Sequence, residues 1–395
     1  MASSLTTVGA VLKGIVSGKS IQTLERPVQG DEFGILKVSA VTWGAFRPAE
    51  NKALPAGYDP KDCPRPMDGD ILISRANTRE LVGAPVMVQG NHPQLLLSDK
   101  LLKLIPDETV IDARYLVRAL RSPSASAHFY KSAGGSSGSM TNITQSDIRT
   151  APIYLPSLPE QRRIAAILDQ AETLRTQRRA ALAQLDSLTQ SIFLDMFGDP
   201  VANPKGLSIV KLGDVGTLDR GISKHRPRNA PELLGGNHPL IQTGEVANCD
   251  AYIRSFTSTY SDLGLRQSKL WPAGTLCITI AANIAKTGIL TFEACFPDSV
   301  VGFSADDPAT VEYVRVWLSF LQKTLEDSAP ESAQKIINLA ILRGLNVPLP
   351  PLPLQQTFAT RIQSIEALKA THRAALAQLD ALVASLQQRA FAGQL

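Results

Sequence analysis

Cysteine is scarce, with four residues in 395 at Cys63, Cys249, Cys277 and Cys295 and no CxxC pair among them. Thiols so few and so scattered cannot staple a chain of this length, and they read as the reduced cysteines of a cytoplasmic protein. Histidine is limited to His92, His128, His225, His238 and His372. None stands at ligand spacing from another or from a cysteine, so no metal site is expected. No stretch approaches the roughly 18 apolar residues of a membrane span. The opening Met1-Ala2-Ser3-Ser4 has no charged lead-in, so neither secretion nor anchoring is expected. A strong charge bias is also missing: 40 basic residues stand against 36 acidic ones, for +4. Residues 1–150 hold 17 basic and 14 acidic residues, and residues 198–348 hold 14 and 15. Such a balance permits a nucleic-acid partner without demanding one, and any contact has to come from local clusters or a more basic partner.

Catalytic constellations are lacking too. Gly14-Ile15-Val16-Ser17-Gly18-Lys19-Ser20 is one residue short of a phosphate loop, whose amide cradle depends on loop length. Gly134-Gly135-Ser136-Ser137-Gly138 has the letters of a nucleophile elbow, but neither the buried strand before it nor the helix after it, and reads as a flexible loop. Ser332-Ala333-Gln334-Lys335 matches SxxK with no accompanying second motif. There is no Asn/Asp-Pro-Pro-aromatic string and no glycine-rich cofactor loop after a strand. No catalytic residue and no cofactor of its own are expected.

What is present is 44% hydrophobic and 19% charged, a globular composition with length for two to three domains. An internal repeat organises it. Arg179–Asp186 recurs letter for letter as Arg373–Asp380, 194 residues on, and residues 155–186 match residues 349–380 at 16 of 32 positions without a gap. Within the repeat, apolar residues fall at Ile164, Leu168, Ala171, Leu174, Leu182, Leu185, Leu188, Ile192 and Met196. The second copy answers at Phe358, Ile362, Ile365, Leu368, Leu376, Leu379, Leu382, Leu386 and Ala390. Steps of three and four, with one turn skipped at Arg178 and its equivalent His372, are those of a coiled-coil seam. Pro159 and Pro353 suit first turns, and Gly198 and Gly393 suit stops. Residues 160–197 would extend about 57 Å as a helix. A helix of that length with one apolar stripe needs a partner. The matched register points to the two copies pairing with each other, the alternative being that each packs on its own domain.

The rest of each repeat unit is different in kind, with short apolar runs broken by Gly, Pro, Asn and Asp. Asp70–Ser74 and Thr275–Ile280 read as strands, and Asp112–Arg121 and Val311–Leu325 as helices. The fold class expected is mixed α/β (α+β): globular domains at 1–150 and 199–348 alternate with long helices at 151–198 and 349–395. The helices pair as an antiparallel coiled coil with a pseudo-two-fold repeat.

This layout resembles the specificity (S) subunit of type I restriction–modification systems over the whole chain. The resemblance rests on Leu155-Pro156-Ser157-Leu158-Pro159-Glu160-Gln161 and, with Leu354 in place of the Glu, Leu349-Pro350-Pro351-Leu352-Pro353-Leu354-Gln355. It rests as well on Gly235–Ile241 and Trp271–Thr279, in this order and spacing. It implies two target-recognition domains that each read half of an asymmetric, bipartite duplex DNA target. It also implies paired helices that dock two methyltransferase (M) subunits and, through them, restriction/translocase (R) subunits. S-adenosylmethionine would belong to the methyltransferases, no membrane would be involved, and half-sites about 10 base pairs apart would match one DNA turn.

Base edges suit Arg, Lys, Asn and Gln, and phosphates suit Lys, Arg and hydroxyls. The densest basic cluster, Lys224-His225-Arg226-Pro227-Arg228, is the first candidate reader, followed by Asn283, Lys286 and Thr287. In the first domain the candidates are Lys19, Ser20 and Arg26, then Arg75, Asn77 and Arg79, with Trp43 and Arg47 as additions, although a Trp commonly sits in a core. A two-domain adaptor that recruits other proteins through its helices, and a hydrolase using Ser136, are the competing classes.

Overall fold

The computed structural model describes residues 4–137, 140–281, 284–328 and 337–394. Asn283, Gly138 and the Ser332–Lys335 motif lie outside them. The chain divides into two compact units, residues 1–177 with 375–395, and residues 178–374.

In the first unit Leu12–Ser17, Leu101–Pro106, Ile71–Ser74 and Pro85–Met87 form an antiparallel sheet in that order. Ile71–Ser74 is buried throughout, which is why its sequence is continuous rather than alternating. Helix Ala113–Leu120 is capped by the Asp112 carboxylate, which accepts from the Arg114 and Tyr115 amides. Its Tyr115, Leu116 and Leu120 share a core with Ile73, Leu102 and Leu104. A smaller sheet sets Gly34–Leu36 between Asn51–Ala53, antiparallel, and Leu95–Leu96, parallel. Gly134–Ser137 is a strand paired antiparallel with Met140–Asn142, which in turn pairs with Ala76–Asn77. The expected loop is therefore ordered by backbone pairing.

The second unit repeats this plan in unrelated sequence. Thr217–Arg220, Val300–Ser304, Leu276–Thr279 and Thr287–Leu290 are antiparallel in the same order, with Tyr252–Ile253 added in parallel at the edge. Leu234–Leu240 lies between Ser258–Tyr260, antiparallel, and Ala294–Cys295, parallel. Helix Pro308–Ser328 buries Tyr313, Val314, Trp317 and Leu318.

The long helices are Leu158–Phe197 and Leu352–Phe391, each of 40 residues. The glutamine of each lead-in is buried and acts as a latch. Gln161 donates to the carbonyls of Val110 (3.1 Å) and Pro156 (2.9 Å) and accepts from the Asp112 amide (2.8 Å). Gln355 donates to the Pro350 carbonyl at 2.7 Å, and its Oε1 is buried with no partner among the described residues. A side-chain amide carries two donors and an acceptor, which suits it to meet several backbone groups at a buried helix start.

Each unit closes its core with the first turns of one long helix and the last turns of the other. In the first unit Ile164, Ala165 and Leu168 pack in the cluster that holds Ala390, with Leu386 and Phe391 against it. In the second, Phe193 and Phe197 meet Phe358 and Tyr313, with ring centroids 5.1–5.7 Å apart. Within that unit Arg178 donates to His372 Nδ1 (3.1 Å), Asp186 meets Lys369 (2.7 Å), and Phe193 meets Phe358. One number rises as the other falls, so the pairing is antiparallel. Arg178 and His372 are repeat equivalents in direct contact within the second unit. Arg175 pairs with Asp380 at 2.6 Å in the first unit, and this is the Lys369–Asp186 contact repeated.

The seam differs from the apolar pattern at four places. Leu174, Leu188, Leu368 and Leu382 are 41–53% exposed. Arg175, Thr189, Lys369 and Val383, one position on, are the more buried residues. The reason is ionic: Lys369, 5% exposed, lies between Asp186 (2.7 Å) and Glu366 (2.8 Å). A cation inside the pair is tolerated because carboxylates meet it there, and each leucine is turned by one residue to the outside. Of the remaining expected seam positions, Ile164, Leu168, Phe358 and Ile362 are buried, and Leu182, Leu185, Leu376 and Leu379 half-buried. Phe193→Ala should cost about 3–5 kcal/mol in denaturant unfolding of the whole chain. Leu188→Ala, five residues away, should stay within about 0.5 kcal/mol; the reverse order would overturn this register.

Candidate nucleic-acid interface

At one end of the four shared strands three segments converge in each unit, and the same backbone bonds hold them. Gly18 donates to the Leu101 carbonyl (3.2 Å) and Arg75 to that of Lys100 (2.8 Å). In the second unit Gly221 donates to Val300 (2.8 Å) and Ile280 to Ser299 (3.0 Å). The approach is so close that a Cβ on Gly18 would lie 2.1 Å from the Ser98 carbonyl oxygen, and one on Gly221 2.3 Å from that of Pro297. Only glycine fits there. Each corner launches the loop after the first sheet strand, which carries the densest basic cluster in the second unit and Lys19 and Ser20 in the first.

In the first unit Lys19, Ser20 and Arg75 are exposed at this corner. Lys100 joins them through its bond to Arg75. It was not singled out in the sequence because it stands alone before a strand. Arg79 is exposed, with its guanidinium 4.8 Å from the centre of the Tyr130 ring. Thr42, Gly44, Arg79 and Tyr130 line one cleft. Trp43 is 58% exposed and so is no core residue; Arg47 is exposed as well. Two candidates are engaged elsewhere. Asn77 is buried and donates to Thr42 Oγ1 at 3.0 Å. Arg26 makes a two-toothed pair with Glu32, both bonds 2.6 Å.

In the second unit Lys224, His225, Arg226 and Arg228 are all exposed. Gln267 Oε1 accepts from the amides of Lys224 (2.7 Å) and His225 (3.0 Å), and Ser268 Oγ donates to the Ile222 carbonyl (2.8 Å). Arg226 donates to the carbonyls of Ser223 (2.6 Å) and His225 (2.8 Å). Asp298 bonds Arg228 and lies 3.3 Å from Arg226, while its carbonyl accepts from Arg220. Neither Arg220 nor Asp298 stands out in the sequence, since strand pairing alone brings them to the loop. Lys286 is half-buried and donates to Gln322 Oε1 (3.3 Å), and half-buried Thr287 begins the next strand. The cysteines are free thiols. Among the described residues no group of His, Cys, Asp and Glu stands ready to hold a metal ion.

The corners thus expose differing sets of cations on one backbone plan. Residues 56–184 and 204–381 match the family model of the type I restriction modification DNA specificity domain. The chain belongs to this family. Among specificity-domain proteins, it is 29% identical to the type I restriction enzyme EcoEI specificity subunit of Escherichia coli, over 50% of this chain. It spans only 33% of that relative's length. The EcoBI specificity subunit, also of Escherichia coli, is 22% identical over 96% of this chain and 84% of that protein. The crystal structure of the type I restriction–modification system S subunit from M. genitalium has the same fold, at a TM-score of 0.65 and 12% identity over 99% of this chain and 96% of that one. Among the described residues no helix is long and apolar enough to cross a membrane.

The Arg26 pair holds the Glu32 carboxyl at about 2, first through the hydrogen bonds from the guanidinium. A carboxylate lowered in this way supports the folded loop above its ordinary range and loses that support as pH falls toward about 2. Carboxyl NMR should find Glu32 titrating near that value and moving up in Arg26→Gln; an ordinary Glu32 in the native chain would break the pair and return Arg26 to the readers.

Proposed function

We propose that this chain is the DNA-reading, non-catalytic specificity subunit of a type I restriction–modification complex working in the cytoplasm. Residues 1–150 and 199–348 act as target-recognition domains, each reading one half of a bipartite, asymmetric duplex, and residues 151–198 and 349–395 are the spacer helices. The observation that carries this reading is the repeated corner, where the same pair of backbone bonds underlies Lys19, Ser20, Arg75 and Lys100 in one unit and Arg220, Lys224, Arg226 and Arg228 in the other. One framework with two unlike sets of donors is what reading two unlike half-sites requires. Trp43, Arg47 and Arg79 extend the first reader; Lys286 and Thr287 flank the second.

The chain exposes a matched pair of leucines in each unit: Leu174 and Leu382 in the first, Leu188 and Leu368 in the second. The 194-residue offset carries each pair onto the other. They are the docking positions for two methyltransferase subunits, which bring S-adenosylmethionine and, in turn, the restriction/translocase subunits. An adaptor without DNA would need the leucines but not the corners.

Two experiments test these assignments. Arg226→Ala with Arg228→Ala should weaken binding of the methyltransferase complex to its target about tenfold or more, from about 1–3 kcal/mol per lost two-toothed base contact. It should relax discrimination in one half-site only; undiminished methylation of the target would remove this loop as a reader. Leu188→Glu with Leu368→Glu should leave a complex carrying one methyltransferase instead of two by native mass spectrometry, and two retained copies would refute the docking assignment.

A further inference from the structure

Among the described residues, Asp298 is the carboxylate that meets three arginines at the second corner. Its side chain bonds Arg228 and stands 3.3 Å from Arg226, and its main-chain carbonyl takes Arg220. Its side chain is 25% exposed, against 56% and 44% for Arg226 and Arg228, so the acid sits beneath the arginines and they face outward. The residue before it, Pro297, is the one that Gly221 nearly touches, which fixes the acid against the root of the loop. The corner bonds of the first unit put Asp99 at the equivalent place, exposed and donating its amide to the Lys19 carbonyl at 3.0 Å. An acid at the root of the basic loop is therefore part of the shared plan.

We infer that Asp298 is a positioning residue for the second half-site: it holds the Arg226 and Arg228 guanidiniums in a fixed orientation before DNA arrives. This rests on the DNA-reading role proposed above. Arginine side chains have many rotamers, and a reader that must order them on binding loses affinity and tolerates wrong bases. A single acid that pins two guanidinium groups removes that cost while leaving the cluster net positive. The same carboxylate repels the phosphate backbone. Its two effects have opposite signs on DNA binding, and this makes them separable.

The test uses the whole methyltransferase complex with Asp298→Asn and Asp298→Glu, titrated with target duplex, duplexes altered in one half-site at a time, and unrelated duplex. In Asp298→Asn, discrimination in the second-domain half-site should fall about tenfold, while discrimination in the other half-site is kept and binding to unrelated duplex rises severalfold at low salt. Asp298→Glu keeps the charge but moves the carboxylate by one carbon; it should lose discrimination without the gain in unrelated binding. If Asp298→Asn binds target and unrelated duplex more tightly by one common factor, the acid only blocks the arginines and the inference is overturned. Equal loss in both half-sites, or binding lowered for every duplex, assigns it a merely structural role and overturns the inference as well. A native complex with no sequence preference in the same titration would overturn the DNA-reading role itself, which keeps the two failures apart.

Discussion

The reversed pairing of two copies of one helix is the constraint on which the rest depends. Because the copies run in opposite senses, the start of one lies beside the end of the other, and neither globular core is complete without both. The contacts obey the repeat: Arg175 meets Asp380 as Lys369 meets Asp186, and Arg178 and His372 meet each other. A parallel arrangement would bring Arg175 beside Lys369 and Asp186 beside Asp380, like against like. These ionic contacts favour the antiparallel direction and this register over the parallel alternative, although both paired carboxylates stay largely exposed.

On that frame the two globular parts are free to differ. Their shared content is a strand order and a few backbone bonds, and backbone bonds place no demand on side chains except where chains nearly touch, as at Gly18 and Gly221. This explains how two units with so little common sequence outside the helices converge on one corner. It also locates variation at the surface residues of the loops that leave it, where a change alters what is presented without disturbing what presents it.

The helices, their polarity and their duplication were legible in the sequence because long amphipathic segments repeat their signal over many turns. The central strands were legible because they are short and wholly buried. The exposed leucines were not: reading every apolar residue as seam fails where Lys369 is buried among carboxylates, since the pattern carries no record of which charge has a partner. The candidate interface was legible in part. Loops flanking the strands could be named, and Lys19, Arg75, Arg226 and Arg228 lie at the corners. Asn77 turned inward to Thr42 and Arg26 was taken by Glu32, both through tertiary contacts. Lys100, Arg220 and Asp298 were missed because their place comes from strand pairing across tens of residues.

The two glutamine latches differ in strength. Gln161 satisfies every polar atom of its amide against three separate backbone groups, whereas the Gln355 side chain makes one bond, to the Pro350 carbonyl, and its neighbour Gln356 reaches the Asp307 carboxylate at 2.9 Å near the surface. The start of the second long helix is thus held to the preceding backbone by one glutamine side-chain bond where the first is held by three, and deuterium should reach the amides around Gln355 ahead of those around Gln161.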